Sequence, residues 1–173
     1  VYTDADADGG KDIGESGLSG RTVTATPASG SPITTTTGGD GSYSVTGLTP
    51  GVAYTISVSH SEQCSQPTGG CTHSVTLASG QAVTGKDFGL YDFAHLGGQV
   101  YEDLNADGSK SGESAIPELD VTATPAGGGT PVTLTAAGDG IYRFTHLMPG
   151  TTYTITVSHE GWSCSEPTPC SYE

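Results

Sequence analysis

The sequence predicts an all-β fold built from two tandem Greek-key β-sandwiches. Composition is the first reason: 27 of the 173 residues are Gly and 10 are Pro, whereas only 5 are Lys or Arg. Thr, Val and Tyr favour pleated strands, and Gly and Pro mark the turns between them. A hydrophobic content of 33% is low, but it can fill two thin sandwich cores.

An internal repeat, at a spacing of about 99 residues, is the second reason. Segments of the first half return in the second half in the same order. We therefore expect two copies of one domain, at residues 1–92 and 93–173. The paired segments are Val1-Tyr2-x-Asp4 with Val100-Tyr101-x-Asp103, Val23-Thr24-Ala25-Thr26-Pro27 with Val121-Thr122-Ala123-Thr124-Pro125, Leu48-x-Pro50-Gly51 with Leu147-x-Pro149-Gly150, and Tyr54-Thr55-Ile56 with Tyr153-Thr154-Ile155.

Strand patterns are the third reason. In copy 1, the segment Tyr54-Thr-Ile56-Ser-Val58 alternates apolar side chains with hydroxyls, as a half-buried strand requires. Turns rich in Gly and Pro separate this strand from its neighbours. Seven short strands with such spacing are typical of an immunoglobulin-like Greek-key sandwich. The predicted strands of copy 1 lie near 1–3, 21–27, 31–37, 41–46, 52–60, 72–79 and 81–90.

Copy 2 matches only the first five of these strands, and counterparts of 74–90 do not follow its cysteine pair. Copy 1, in turn, has no counterpart of 96–99 before Val1. A sandwich without its last strands exposes a core face and open sheet edges. Two interpretations stay open: a window of a longer array of repeats, or a subunit that polymerises end to end and takes strands from a neighbouring copy.

The formal net charge of -14 restricts the partners of this chain. Nucleic-acid binding needs clustered Lys and Arg, so we expect no nucleic-acid partner. No segment is long and apolar enough for a transmembrane helix, so we expect no membrane insertion. The five His residues belong to no catalytic motif, and we do not expect an enzyme.

Acidic residues cluster in the loop 4–15, D-A-D-A-D-G-G-K-D-I-G-E. Its carboxylates have the spacing of an EF-hand calcium loop, with Gly9 at the sharp turn. Lys11 stands where an EF-hand has an apolar residue, and no helices flank the loop. We therefore predict an EF-hand-like Ca²⁺ loop inserted between β-strands. The predicted ligands are Asp4, Asp6, Asp8, the backbone carbonyl of Gly10, Asp12 and Glu15.

The loop 103–113 of copy 2 is a shorter and less acidic version of the first loop. We expect calcium here too, bound more weakly and with altered coordination. Its predicted ligands are Asp103, Asn105, Asp107, the carbonyl of Ser109, Ser111 through water, and Glu113. Strand parity places the turn at 38–41 and the domain exit at the same pole as loop 4–15. Asp40 and Asp92 are therefore possible extra metal ligands, and calcium there would stiffen the domain junction.

The four cysteines form two close pairs, Cys64 with Cys71 and Cys164 with Cys170. Close pairs in a polar, Thr-rich chain favour disulfides and an oxidising compartment. Metal binding through thiolates is the rival interpretation. It fits less well, because neither pair has the gap of two to four residues that is usual in structural zinc sites.

A set of motifs resembles the B-type repeats of the serine–aspartate-repeat surface proteins of Gram-positive bacteria, and the wider collagen-adhesin B-like group. The resembling segments are Val1-Tyr2-x-Asp4-x-Asp6-x-Asp8-Gly9, Glu15-x-Gly17-Leu18-x-Gly20, Gly41-Ser-Tyr43-Ser-Val45, Leu48-x-Pro50-Gly51 and Asp87-Phe88-Gly89-Leu90. The resemblance implies an extracellular sandwich, rigidified by calcium, that serves as a stalk or spacer at the cell surface or in a secreted filament. A carbohydrate- or host-binding adhesive module is the alternative, with Trp162 and Tyr172 in a sugar-binding face.

Overall fold

A computed structural model of the chain describes residues 1–157, 159, 161–165, 171 and 172. It divides into two compact units, Val1–Asp92 (unit 1) and Phe93–Glu173 (unit 2). The described residues form strands, turns and irregular segments without a helix, which confirms the all-β fold. Accordingly, this part of the chain offers no helix that could cross a membrane.

Unit 1 is a sandwich of two sheets. Its strands are β1 (Tyr2–Thr3), β2 (Thr22–Pro27), β3 (Ile33–Thr36), β4 (Ala53–Val58), β5 (Gln63–Gln66), β6 (Thr72–Thr76) and β7 (Gly89–Tyr91). The first sheet is antiparallel and has the order β3-β2-β4-β6. The second has the order β1-β7-β5, in which β1 is parallel and β5 antiparallel to β7.

The core of unit 1 follows from the alternation of apolar and hydroxyl side chains along β2 and β4. Val23 and Ala25 in β2 and Ile56 in β4 face inward and are buried. Phe88 and Leu90 close the core from the second sheet, and they are 0% and 1% exposed. Burying two such side chains stabilises the unit by about 3–6 kcal/mol.

Unit 2 repeats the first sheet and differs in the second. Its strands are β8 (Ala94–Gln99), β9 (Asp120–Pro125), β10 (Val132–Thr135), β11 (Ile141–Leu147), β12 (Tyr153–Val157) and β13 (Ser171–Tyr172). The sheet β10-β9-β12-β13 matches β3-β2-β4-β6, and β11 pairs with β8. Its buried core consists of Val121, Ala123, Phe144, Leu147 and Ile155.

One predicted strand of copy 1, at 41–46, is wrong, because unit 1 forms no ladder there. The corresponding segment of unit 2 is β11, which pairs with β8. A strand needs a hydrogen-bonded neighbour, and β11 has one in β8, whereas no described segment of unit 1 pairs with 41–46. The same residue pattern is therefore a strand in unit 2 and an irregular segment in unit 1.

Two other predictions for copy 1 need correction. The strand predicted at 81–90 is confined to β7, and residues 81–88 are irregular. The polar segment that forms β5 was not predicted as a strand, because Gln63–Gln66 shows no apolar alternation. This segment is ordered instead by its pairing with β7, in which Cys64 lies opposite Leu90.

The disulfide predicted for copy 1 is confirmed. Cys64 and Cys71 are bonded, with a Cα–Cα distance of 5.7 Å, and they join β5 to the start of β6. The pairing predicted for Cys164 lies partly outside the described residues, since Cys170 is not among them.

Candidate metal centre

The base of loop 4–15 is held by the Gly-Asp-Gly turn at 39–41. The amino group of Val1 donates a hydrogen bond to the carbonyl of Gly41 (2.8 Å), and the amide of Leu18 donates to the carbonyl of Val1 (2.9 Å). Gly41 has a φ of 75°, and a Cβ atom there would lie 2.0 Å from the Val1 carbonyl oxygen. Glycine is therefore required at this position, as in the matching motif around Gly140.

Inside the loop, backbone amides orient the acidic side chains. The amide of Gly9 donates to Asp4 Oδ2 (2.8 Å), and that of Gly10 donates to Asp8 Oδ1 (2.6 Å). Ala7 adopts a left-handed conformation with a φ of 58°, which turns the chain sharply. As a result, carboxylate oxygens of Asp4, Asp6 and Asp8 lie within 4.8 Å of one another.

Asp4 is the buried member of this cluster. It is 0% exposed, and its Oδ1 has no hydrogen-bond partner. The hydroxyl of Ser65 lies near this carboxylate but is also without a hydrogen bond. Burial raises the pKa of Asp4, whereas the nearby Ser65 hydroxyl and the Gly9 amide lower it, and the lowering prevails. A bound cation would satisfy this unpartnered oxygen, because buried polar groups in proteins are normally paired.

Asp6 is the member of the cluster whose pKa is raised. The amide of Asp8 lowers the pKa of Asp6, but desolvation and the neighbouring charges of Asp8 and Asp4 raise it overall. Like charges this close repel one another, and they do so more strongly where water is excluded. A hard divalent cation with oxygen ligands removes this repulsion, so the chemistry of the three side chains fits calcium.

The remaining predicted ligands of unit 1 lie outside this three-residue group. Glu15 accepts hydrogen bonds from the amides of Ala5 (2.6 Å) and Asp12 (2.9 Å), so it closes the loop on the opposite side. Asp40 accepts from the amide (3.0 Å) and hydroxyl (2.6 Å) of Ser42, as a turn residue does. Metal binding stays a prediction for all the candidate ligands of unit 1: Asp4, Asp6, Asp8, Gly10, Asp12, Glu15, Asp40 and Asp92.

The loop of unit 2 repeats this geometry. The amide of Gly108 donates to Asp103 Oδ2 (2.9 Å), and that of Ser109 donates to Asp107 Oδ1 (2.7 Å). Ala106 has a φ of 56°, close to the value of Ala7. A hydrogen bond from Ser165, followed by those from the loop amides, lowers the pKa of Asp103. Asp103 is nevertheless partly exposed, unlike Asp4.

Glu113 closes the loop of unit 2 as Glu15 closes that of unit 1. Its Oε1 accepts a hydrogen bond from the amide of Leu104 (2.8 Å), while its Oε2 is buried without a partner. Asn105 donates its side-chain amide to Asp107 Oδ2 (2.8 Å). The ligand roles predicted for these residues, and for Ser109 and Ser111, stay predictions.

Two residue types near the loops escaped the sequence analysis. Ser65 and Ser165 each follow a cysteine and lie beside the first aspartate of their loop. Tyr2 and Tyr101 donate their hydroxyls to the carbonyls of Gly9 (3.0 Å) and Gly108 (2.9 Å). Both pairs recur in the repeat, so the repeat itself held the signal that could have found them.

Fold and site together define a class: tandem immunoglobulin-like β-sandwich modules, each with an acidic loop directly after its first short strand or bridge. Comparison with known proteins agrees with this class. The SdrD B-like domain profile matches residues 1–90 and again residues 94–171. The chain therefore belongs to the SdrD B-like domain family and carries two of its domains, as the resemblance indicated.

Similar proteins occur in staphylococci. The chain is 32% identical over 165 residues to serine-aspartate repeat-containing protein D of Staphylococcus aureus (strain Newman), an alignment that covers 87% of this chain and 12% of that protein. It is 34% identical over 169 residues to serine-aspartate repeat-containing protein F of Staphylococcus epidermidis, covering 90% of this chain and 10% of the relative. The chain thus corresponds to a small part of these relatives.

Proposed function

We propose that this chain is a calcium-stabilised structural module, a stiff extracellular spacer in a microbial surface protein, with no catalytic role. The observation that carries the proposal is Asp4, a fully buried carboxylate with an unpartnered oxygen in a cluster with Asp6 and Asp8. Ca²⁺ bound there would satisfy that oxygen and join the loop to β1. Family membership and the disulfide support an extracellular, oxidising location.

Neighbouring repeats are the proposed partners, connected end to end. Both units keep the same base, in which Val1 or Val100 is fixed to the Gly-Asp-Gly turn. Such repetition of a small module suits a protein that sets a distance from a surface.

The first test replaces Asp4 with Asn and measures calcium-dependent stability. Extracellular calcium modules bind with a Kd of about 10⁻⁴–10⁻³ M, so about 10 mM calcium reaches a hundredfold excess over the tighter value. This excess stabilises a site by about 2.7 kcal/mol, or roughly 11–22 °C in Tm for a unit of this size. We expect calorimetry to show this gain for the unaltered chain and most of it lost in Asp4→Asn.

Asp120→Asn is the matched control, since it removes one carboxylate that belongs to β9 and to neither loop. Its calcium response should equal that of the unaltered chain. Identical melting curves in calcium and in chelator, together with no heat of calcium binding, would contradict the proposed role of calcium.

The spacer role has a separate test in small-angle X-ray scattering. If calcium stiffens the chain, chelation should broaden the distribution of particle lengths, and added calcium should restore it. A distribution that is unchanged by chelator, in a chain shown to bind calcium, would leave the metal with a local stabilising role and remove the spacer argument.

A further inference from the structure

Unit 2 has an open cleft of about 800 Å³ between the face of β9 and β12 and the segment 99–106. Its lining includes the core residues Val121 and Ile155 and the aromatic residues Tyr101, Tyr142, Trp162 and Tyr172. Trp162 and Tyr172 are 48% and 50% exposed. A cleft of this size that opens directly onto a hydrophobic core is costly unless something apolar covers it.

Unit 1 shows what covers the equivalent place. Phe88 fills it, with its ring 6.2 Å from that of Tyr43 and 4.9 Å from that of His73. Tyr142 is the repeat counterpart of Tyr43. Tyr172 is the counterpart of His73, because it lies opposite Ile155 as His73 lies opposite Ile56. The side chains that hold Phe88 in unit 1 therefore line the cleft in unit 2.

Backbone pairing fixes the direction of the covering strand. In unit 1, the amide of Tyr2 donates to the carbonyl of Phe88 (2.9 Å) and that of Asp4 donates to the carbonyl of Leu90 (2.8 Å). Among the described residues of unit 2, no strand occupies the place of β7. Tyr101 and Asp103 are accordingly more exposed than their counterparts Tyr2 and Asp4.

Glycine between the two apolar residues is part of the required pattern. A Cβ atom at Gly89 would lie 2.6 Å from Ser65 Oγ and 2.8 Å from Tyr2 Oη. The counterparts of those two residues, Ser165 and Tyr101, both line the cleft of unit 2. A strand in that cleft must therefore bring a residue without a side chain between an aromatic and an aliphatic one.

We propose that the cleft of unit 2 is a strand-acceptor site for an extended segment with the sequence pattern of residues 86–91, Lys-Asp-Phe-Gly-Leu-Tyr. Its Phe lies between Tyr142 and Tyr172, its Gly beside Ser165, and its Leu on Val121. The segment runs parallel to the backbone at Tyr101. This inference goes beyond the proposed spacer role and does not depend on calcium.

The test adds a peptide with the sequence of residues 86–92 to the full chain in calcium and follows the emission of Trp162, the single Trp of the chain. The peptide has no Trp, so emission excited at the red edge reports the protein alone. We expect a saturable change at one peptide per chain, because unit 1 is already filled. Amide NMR shifts of Val121 and Ile155 provide a second readout that does not depend on Trp162.

Peptide variants serve as controls, since they leave the folding of the protein unaltered. Replacing the Phe or the Gly of the peptide by Ala should each weaken binding by about tenfold or more, and a scrambled peptide should not bind. Absence of both signals, or equal binding of the scrambled peptide, would overturn the proposal. So would a response of the same residues to soluble glycans with none to the peptide, which would make the cleft a sugar site.

Failure of this proposal and failure of the calcium proposal are distinguishable. Peptide binding is measured at saturating calcium and again in chelator, while calcium binding is measured without peptide. A chain that binds the peptide in both conditions but shows no calcium-dependent melting retains the strand site and loses the metal centre.

Discussion

The two units carry nearly the same acidic loop but bury it to different degrees. Asp4 is 0% exposed, whereas Asp103 is partly exposed although its loop has the same hydrogen bonds and the same left-handed alanine. The difference lies in what covers the loop. In unit 1, β7 and β5 pack beside it, and in the described part of unit 2 no strand takes the place of β7.

Loop geometry and loop burial thus have separate origins. The geometry is local, since short-range bonds such as those from the Gly9 and Gly108 amides recur in both units. The burial depends on tertiary structure, because it needs β7, a strand about 85 residues further along the chain. Bringing β7 beside the loop costs chain entropy, and burial of the core offsets that cost. Affinity for a cation should depend on both.

The largest expected effect comes from making unit 1 resemble unit 2. Phe88→Ala removes the ring that fills the core, and it should lower the free energy of unfolding of unit 1 by about 3–5 kcal/mol. Urea unfolding, with hydrogen exchange assigning the transition to unit 1, measures this. Val83→Ala, at a position that is 43% exposed, is the control and should change stability by less than about 0.5 kcal/mol. A loss below about 1 kcal/mol for Phe88→Ala would show that the covering strand β7 does not account for the difference between unit 1 and unit 2.

A smaller effect is expected from the disulfide. Replacing Cys64 and Cys71 together by Ser should lower the free energy of unfolding of unit 1 by about 2 kcal/mol, since the bond constrains the unfolded chain. It should also weaken calcium binding in loop 4–15, because β5 carries Ser65 beside Asp4. Calorimetric titration measures the affinity, and reduction of the unaltered chain should reproduce both changes. Unchanged affinity in a destabilised variant would limit the disulfide to a stabilising role.

The smallest expected effect is the loss of stability of unit 1 at acidic pH. Burial raises the pKa of Glu62, but the amides of Glu62 and Ser61 and the Arg21 guanidinium together lower it to about 2. Arg21 is the repeat counterpart of Leu119, so unit 2 has no equivalent pair at this place. Because the folded-state pKa lies below the ordinary 4.5, this stability is complete above pH 4.5 and declines as the pH falls towards 2.

The Arg21–Glu62 pair should contribute about 1 kcal/mol. Arg21→Leu, which copies unit 2, should reduce the acid sensitivity of unit 1 in urea midpoints measured between pH 6 and pH 2.5. The variant Glu62→Gln should do the same. If both variants lose stability at low pH as the unaltered chain does, the acid sensitivity of unit 1 comes from the carboxylates of loop 4–15 instead.

Sequence patterns predicted the fold class, the repeat and the convergence of Asp4, Asp6 and Asp8. These features depend on spacing along the chain, such as the alternation around Ile56. The sequence-based predictions failed where a residue's secondary structure depends on a pairing partner far away in the sequence. The counterpart of 41–46 in unit 2 is a strand because it pairs with β8, and β5 is ordered by β7 without any apolar pattern of its own.

The place of Ser65 beside Asp4 belongs to the same category. Sixty residues lie between Asp4 and Ser65 in the sequence, and nothing in the Cys-Ser dipeptide indicates proximity to an acidic loop. The burial of Asp4 was likewise unpredictable from an acidic segment, which ordinarily lies in water. Only the assembled sheets bring these groups together.

The parallel pairing of β1 with β7 has a mechanical consequence. These are the first and last strands of unit 1, with Tyr2 opposite Gly89 and Thr3 opposite Leu90. Tension on the two ends of the unit pulls them past each other, so the bonds from Tyr2 to Phe88 and from Asp4 to Leu90 are loaded in shear at the same moment. Under force, survival depends on the rate of unfolding, and this rate falls when several bonds must break together.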